Sequence, residues 1–278
     1  MTARLPPFDQ LVFSGGGLRC MWQGGFLDAV RDEIGLDPAR LAGVSGGSMT
    51  LVGFMTRRGP EVRDVLCDRF ADRGSNIAWD TPGEDGLTPH QRMYREAIAE
   101  VIDADCQRVV AEGRPAQILI GHPPSTMAPT WSGSAAALAY EAELHLVGSP
   151  HFSWAERIGI SSTLVDANAA ARRGELLDLV CAAATIPPVF EPPEWGGKPV
   201  IDGGMADQAP MPDPDEGHTL VMLTRIYDGL EPASGRLYVE PGEETPADKI
   251  DFTDPQKLRD TWAAGEEDGR RFLKENGY

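Results

Sequence analysis

A serine stands at the centre of Gly43-Val44-Ser45-Gly46-Gly47, with Leu41-Ala42 before it and Ser48-Met49-Thr50-Leu51-Val52 after it. Small residues on both sides let the chain end a strand, turn sharply and enter a helix. The hydroxyl is then exposed at the sheet edge, where a substrate can approach. That is the place of a nucleophile. A serine hydroxyl is a weak nucleophile at neutral pH and needs a base within hydrogen-bond reach. It also needs amide donors aimed at the oxyanion its attack creates.

The donor candidate is Ser14-Gly15-Gly16-Gly17-Leu18-Arg19. Three glycines between a strand and a helix can turn several amides to one side, at the positive end of the helix dipole. Arg19, in the first turn, can hold that loop or an anionic head group. A dinucleotide cradle is the rival reading, but Cys20 replaces the third glycine of that fingerprint, and no strand ending in Asp or Glu follows at the required spacing. No Gly-Lys-Ser/Thr is present either, which removes a P-loop.

The base candidate is Asp202, in Lys198-Pro199-Val200-Ile201-Asp202-Gly203-Gly204. An acid closing a short apolar strand before two glycines projects toward whatever lies at that sheet edge. Asp-Gly turns are also common where no chemistry occurs. Histidine is the usual alternative. Of His90, His122, His145, His151 and His218, only His218 follows Asp202, as the Ser…Asp…His order of α/β-hydrolases requires. It lies in Asp-Glu-Gly-His-Thr-Leu, where a surface loop residue is the plain expectation.

The elements that must position these residues follow from periodicity. Strands are expected over 8–14, 40–44, 117–121, 158–165, 198–201 and, last, 219–225. Helices are expected over 21–34, 45–57, 60–71, 90–112 as one long run, from about Ser134, 174–184 and 255–276. Residues 72–89, with Trp79, and the Pro-rich 122–130 read as loops. Residues 72–89 and 123–131 are candidates for gating the substrate. The Gly-, Pro- and acid-rich 228–247 reads as a long loop. Strands alternating with helices indicate an α/β fold with a mainly parallel sheet. Without a convincing linker, residues 1–278 read as one domain, with its motifs over 8–226 and an acidic loop and closing helix over 227–278.

Composition narrows the partners. With 25 Lys+Arg against 43 Asp+Glu the net charge is −18. That speaks against nucleic acid, whose phosphates dominate affinity, and against a polybasic hold on anionic lipid. A lipid substrate would then be met through an apolar patch in a transient membrane contact, or as a dispersed molecule. No stretch is long and apolar enough to span a bilayer. Met1-Thr2-Ala3-Arg4-Leu5-Pro6-Pro7 has no apolar core of signal-peptide length, so the expected location is cytoplasmic. Cys20, Cys67, Cys106 and Cys181 form no C-x-x-C pair and read as reduced, partly buried residues. No metal and no cofactor is expected. The oligomeric state is not legible.

Together these pieces resemble the patatin-like phospholipase family. Four blocks match in order: Gly15-Gly16-Gly17-Leu18-Arg19; Gly43-Val44-Ser45-Gly46-Gly47; Ala182-Ala183-Ala184-Thr185-Ile186-Pro187-Pro188-Val189-Phe190-Glu191-Pro192; and Val200-Ile201-Asp202-Gly203-Gly204. Cys20 stands where the family usually has glycine. The resemblance implies a three-layer α/β sandwich, its mainly parallel central sheet flanked by helices. It also implies a Ser-Asp dyad without histidine. Ser45 is then the nucleophile and Asp202 the base. Gly15, Gly16 and Gly17 form the oxyanion loop, and Arg19, Gly43, Gly46, Gly47, Gly203 and Gly204 position it and the two turns. The implied activity is hydrolysis of lipid acyl esters. Acyl transfer on the same dyad, a His218-containing triad and a non-catalytic lipid-binding or signalling module are the alternatives.

Overall fold

The four-residue run Gln10–Phe13 forms β1, and every residue in it is buried. Around it, the computed structural model describes residues 5–71, 87–124, 148–151, 154–157, 159–187, 190–249 and 252–278. β1 lies in the middle of a seven-stranded sheet. On one side it pairs in parallel with β2 (Arg40–Val44), which pairs in parallel with β3 (Ala116–His122). On the other side it pairs in parallel with β8 (Thr219–Met222), which pairs in parallel with β9 (Arg236–Val239). β4 (Ser161–Asp166) runs antiparallel along the outer edge of β3. β5 (Glu194–Trp195) and β6 (Lys198–Pro199) form a separate hairpin. The sheet is thus mixed, mainly parallel and flanked by helices.

The last strand, β7 (Ile201–Asp202), explains how distant residues meet. β4 occupies one edge of β3. On the other edge β2 runs alongside as far as the pair Val44 and Leu119. There β2 leaves the sheet at Ser45. β7 takes over the vacated edge, and Asp202 pairs with Ile120, the residue Ser45 would have faced had β2 continued.

Nine helices are described: α1 (Met21–Val30), α2 (Gly46–Thr56), α3 (Gly59–Ala71), α4 (Pro89–Val101), α5 (Ala104–Glu112), α6 (Trp154–Arg157), α7 (Ala167–Arg172), α8 (Leu176–Ala183) and α9 (Pro255–Glu275). The main core joins Leu11, Phe13, Leu41, Ile118 and Ile120 of the sheet to apolar residues of the helices. Val12, Ala42 and Val221 alternate with these and pack in a second cluster with Ala209, Leu223 and Tyr227. Alternation of this kind is the period-two signature of a strand buried on both sides.

Three expectations need correcting. The single helix over 90–112 is two, because α4 ends at Val101 and the Asp103 carboxylate accepts the Cys106 amide at 2.7 Å, capping a new helix. The strand expected over 198–201 is divided. Lys198–Pro199 turns back on Glu194–Trp195 through Gly196-Gly197, both at positive φ, as two-residue hairpins prefer. The loop over 228–247 contains β9, so 219–225 does not hold the last strand. The expectations for 72–86, 125–131 and the helix from Ser134 fall outside the described residues. Among the described residues, no helix is long and apolar enough to cross a membrane.

Candidate active site

Ser45 lies between β2 and α2 with φ 54° and ψ −135°, a conformation that side chains rarely adopt and that costs about 1–3 kcal/mol. The glycines around it admit the close contacts that hold it there. A β-carbon on Gly47 would approach the carbonyls of Phe13 and Ser14 at 2.5 Å. One on Gly46 would run into the Gly17 carbonyl, and one on Gly43 would crowd the Gly47 carbonyl. The serine turn is thus pressed against the glycine loop on one side and its own helix on the other.

The Ser45 hydroxyl donates to Asp202 Oδ2 at 2.6 Å. Both residues are buried, at 2% and 3% exposure. The other carboxylate oxygen, Oδ1, accepts the Gly204 amide at 2.7 Å. The Asp202 amide donates to the Thr185 carbonyl at 2.7 Å, so the block after α8 fixes the acid-bearing strand. A β-carbon on Gly203 would run into the Leu119 carbonyl. Burial raises the Asp202 pKa above the ordinary carboxylate value. The Lys249 charge, the Ser45 hydroxyl and the Gly204 amide each pull it back down.

The glycine loop is tied at defined points. The Gly15 amide donates to the Gln208 carbonyl at 2.8 Å, and the Gly15 carbonyl accepts the Thr224 hydroxyl at 2.6 Å. The Leu18 amide donates to the Lys249 carbonyl at 3.2 Å. Arg19 is half-buried and folds back, its Nε donating to the Gly16 carbonyl at 3.4 Å. The amides of Gly16 and Gly17 donate to no partner among the described residues. Gly46, the first residue of α2, likewise has an amide that the helix leaves unused. Among the described residues, Gly15 alone of the three loop glycines has its N–H engaged elsewhere.

Ser45, Gly17 and Gly46 open onto a cleft whose lining is almost wholly apolar. Met49, Ile98, Ile186, Phe190 and Phe252 are among the other residues lining this cleft. Its shape and chemistry suit a hydrocarbon chain with its polar end at Ser45.

Buried His90 packs its ring against Phe252 of the cleft lining. His218 is exposed and precedes β8. Because β8, β1 and β2 run parallel, it sits at the opposite end of the sheet from Ser45. Its amide donates to Asp9 at 2.8 Å. His122 bonds to Pro199 and Thr163, and His151 to Asp207. His145 is outside the described residues. All four cysteines are free, and burial pushes the Cys106 and Cys181 thiols up to about 12. Among the described residues no cluster of His, Cys, Asp and Glu could hold a metal ion.

No motif in the sequence marks Gln208, Thr224 or Lys249. They act on the loop mainly through backbone groups, which leave no motif. The apolar lining of the cleft comes from separate helices and loops, and its residues look locally like ordinary core.

No curated protein matches the chain. VipD from Legionella pneumophila, a solved structure, aligns with a TM-score of 0.45 at 10% identity, covering 98% of this chain and 67% of that one. The model of a family described as patatin-like phospholipase matches residues 11–214. That span includes the glycine loop, the serine turn and the Asp202 turn, and the chain belongs to this family of lipid acyl hydrolases.

Proposed function

We propose that this protein is a serine acyl hydrolase of the phospholipase A type, cleaving acyl esters of lipids with Ser45 as nucleophile and Asp202 as base. The observation that carries the reading is the 2.6 Å hydrogen bond from Ser45 Oγ to Asp202 Oδ2 beside an apolar cleft. The acyl chain lies in the cleft with its ester carbonyl over Ser45. Ser45 Oγ attacks the carbonyl carbon while its proton passes to Asp202. The carbonyl oxygen becomes an oxyanion, held by the Gly16 and Gly17 amides and the Gly46 amide at the positive end of α2. The tetrahedral adduct collapses, the bond to the alcohol breaks, and the leaving oxygen takes the proton from Asp202. Water then attacks the acyl-serine, giving its proton to Asp202. Collapse of this second adduct releases the fatty acid and returns the proton to Ser45.

A carboxylate with a pKa near ~4 is a poor base at neutral pH. Burial raises the Asp202 value, which brings its basicity closer to what serine needs. The scheme routes no proton through His218, which lies at the far end of the sheet from Ser45.

The test is a screen of p-nitrophenyl esters of graded chain length and of defined phospholipids. Wild type turns over the acyl esters, Ser45→Ala and Asp202→Asn fall to background, and His218→Ala keeps full activity. Full activity in Asp202→Asn removes the dyad. Loss in His218→Ala as severe as in Ser45→Ala restores the triad.

A further inference from the structure

The glycine loop can stabilise an oxyanion only if its peptide planes are fixed before the reaction begins. Glycine cannot fix them by itself, because it has more backbone freedom than any other residue. Other groups must do so. Gly15 sits beside the nucleophile, where an added β-carbon would lie 3.2 Å from the Ser45 β-carbon. Its peptide links are gripped on both sides, by the Gln208 carbonyl on N–H and the Thr224 hydroxyl on C=O.

The second grip matters for the next amide. The Gly15–Gly16 peptide is planar and trans, so the Gly16 N–H points opposite to the Gly15 C=O. Holding that carbonyl holds the direction of the Gly16 donor. Thr224 is well placed to do it. It is 2% exposed, so water does not compete for its hydroxyl. Threonine is stiff about χ1. Its backbone lies two residues beyond the end of β8, where the Met222 carbonyl accepts the Ser14 amide and the Gln23 side chain, and the Leu223 amide donates to Val239. Thr224 also lies outside the 11–214 span of the family match.

We propose that Thr224 is a positioning residue for the acyl-transfer chemistry, its hydroxyl orienting the Gly15–Gly16 peptide so that the Gly16 amide meets the oxyanion. This deepens the reading above and rests on it. The contribution is made in the transition state, when charge develops, and not in ground-state binding.

Thr224→Val keeps the volume and removes the donor, and Thr224→Ser keeps the hydroxyl. Each is measured on a long-chain p-nitrophenyl ester beside wild type and Ser45→Ala. Thr224→Val is expected to lose about 10- to 100-fold in kcat with KM within about twofold, less than the roughly 10²–10³-fold loss of a whole oxyanion donor. Thr224→Ser stays within about threefold of wild type. A trifluoromethyl ketone, whose adduct carries the oxyanion, weakens in Thr224→Val by the same factor as kcat/KM, whereas a non-hydrolysable ether analogue binds unchanged. Should Thr224→Val fail to fold, Thr224→Ser and Thr224→Cys carry the test: similar in size, they differ in donor strength, and the thiol variant is expected to be the slower. Wild-type kcat in Thr224→Val, equal kcat in the Ser and Cys variants, or equal weakening of ketone and ether overturns the role of Thr224 alone, with Ser45→Ala inactive. Activity retained in Ser45→Ala overturns the dyad and this proposal together.

Discussion

Replacing Ser45 by glycine should leave the protein more stable than replacing it by alanine. Both variants lose the hydroxyl and its bond to Asp202, so comparing them cancels that loss. They differ only by the β-carbon, held at φ 54° and ψ −135°. A non-glycine residue in a sparsely populated region costs about 1–3 kcal/mol, and glycine escapes most of it. Against this stands glycine's extra freedom in the unfolded chain, roughly 0.5–1 kcal/mol in regular elements. At the residue preceding a helix even that term weakens, since glycine is tolerated there better than alanine. The net expectation is an advantage of about 1–2 kcal/mol for Ser45→Gly.

Urea denaturation at neutral pH measures the difference directly. In a domain of this size, about 1 kcal/mol corresponds to roughly 2–4 °C in the melting midpoint, so a thermal scan resolves it as well. Both variants should be inactive. Equal stability, or greater stability of Ser45→Ala, would refute the claim that the serine turn stores backbone strain.

Asp202→Asn should combine loss of activity with a stability gain that grows with pH. Burial raises the native pKa of Asp202, so the folded chain holds this proton more tightly than the unfolded one. The stability it contributes is complete below the ordinary carboxylate value near ~4 and is lost as pH rises through the native value. Urea midpoints of wild type and Asp202→Asn at acidic and mildly alkaline pH give the comparison, and a constant gap would contradict it. In the cleft, Met49→Trp should cut kcat/KM for long-chain esters by at least ~10-fold relative to a butyrate ester; an unchanged chain-length profile would move the acyl chain elsewhere. Gly46→Val should destabilise by about 1–3 kcal/mol and abolish turnover, because its side chain meets the Gly17 carbonyl and Cys20 Sγ. Wild-type stability in that variant would show that the serine turn and glycine loop are not in tight contact.

Local chemistry was the part of this fold written most clearly in the sequence. The glycine loop, the serine turn and the Asp-Gly-Gly turn each end a short apolar strand, and β1, β2 and β7 end at those places. The break between α4 and α5 was legible in principle: Asp103 three residues before Cys106 is a capping signal, overridden by apolar periodicity on both sides of it. β9 was not legible, because Arg-Leu-Tyr-Val is four residues long, half-buried throughout and set among glycines, prolines and acids. Nor was the exchange of β2 for β7 along β3, which depends on where two strands stop beside a third.

The least legible feature is also the one that best explains the loop. Four successive anchors tie it: Met222 takes the Ser14 amide, Gln208 the Gly15 amide, Thr224 donates to the Gly15 carbonyl, and Lys249 takes the Leu18 amide. Three of these anchors lie beyond residue 214, where the family match ends. Phe252 closes part of the cleft from the same region, and Trp262 packs against Gly24 and Gly25 of the helix that continues the loop. Three of the four anchors are backbone carbonyls, which any residue supplies without a shared motif, and the fourth is the Thr224 hydroxyl. What such a framework must preserve is the pattern of engagement. Binding every amide would leave none for an oxyanion, and binding none would leave the glycines free to turn. Tying the loop on both sides of Gly16 and Gly17, while those two amides have no partner among the described residues, meets both demands, and it does so with residues whose identities the motif never reveals.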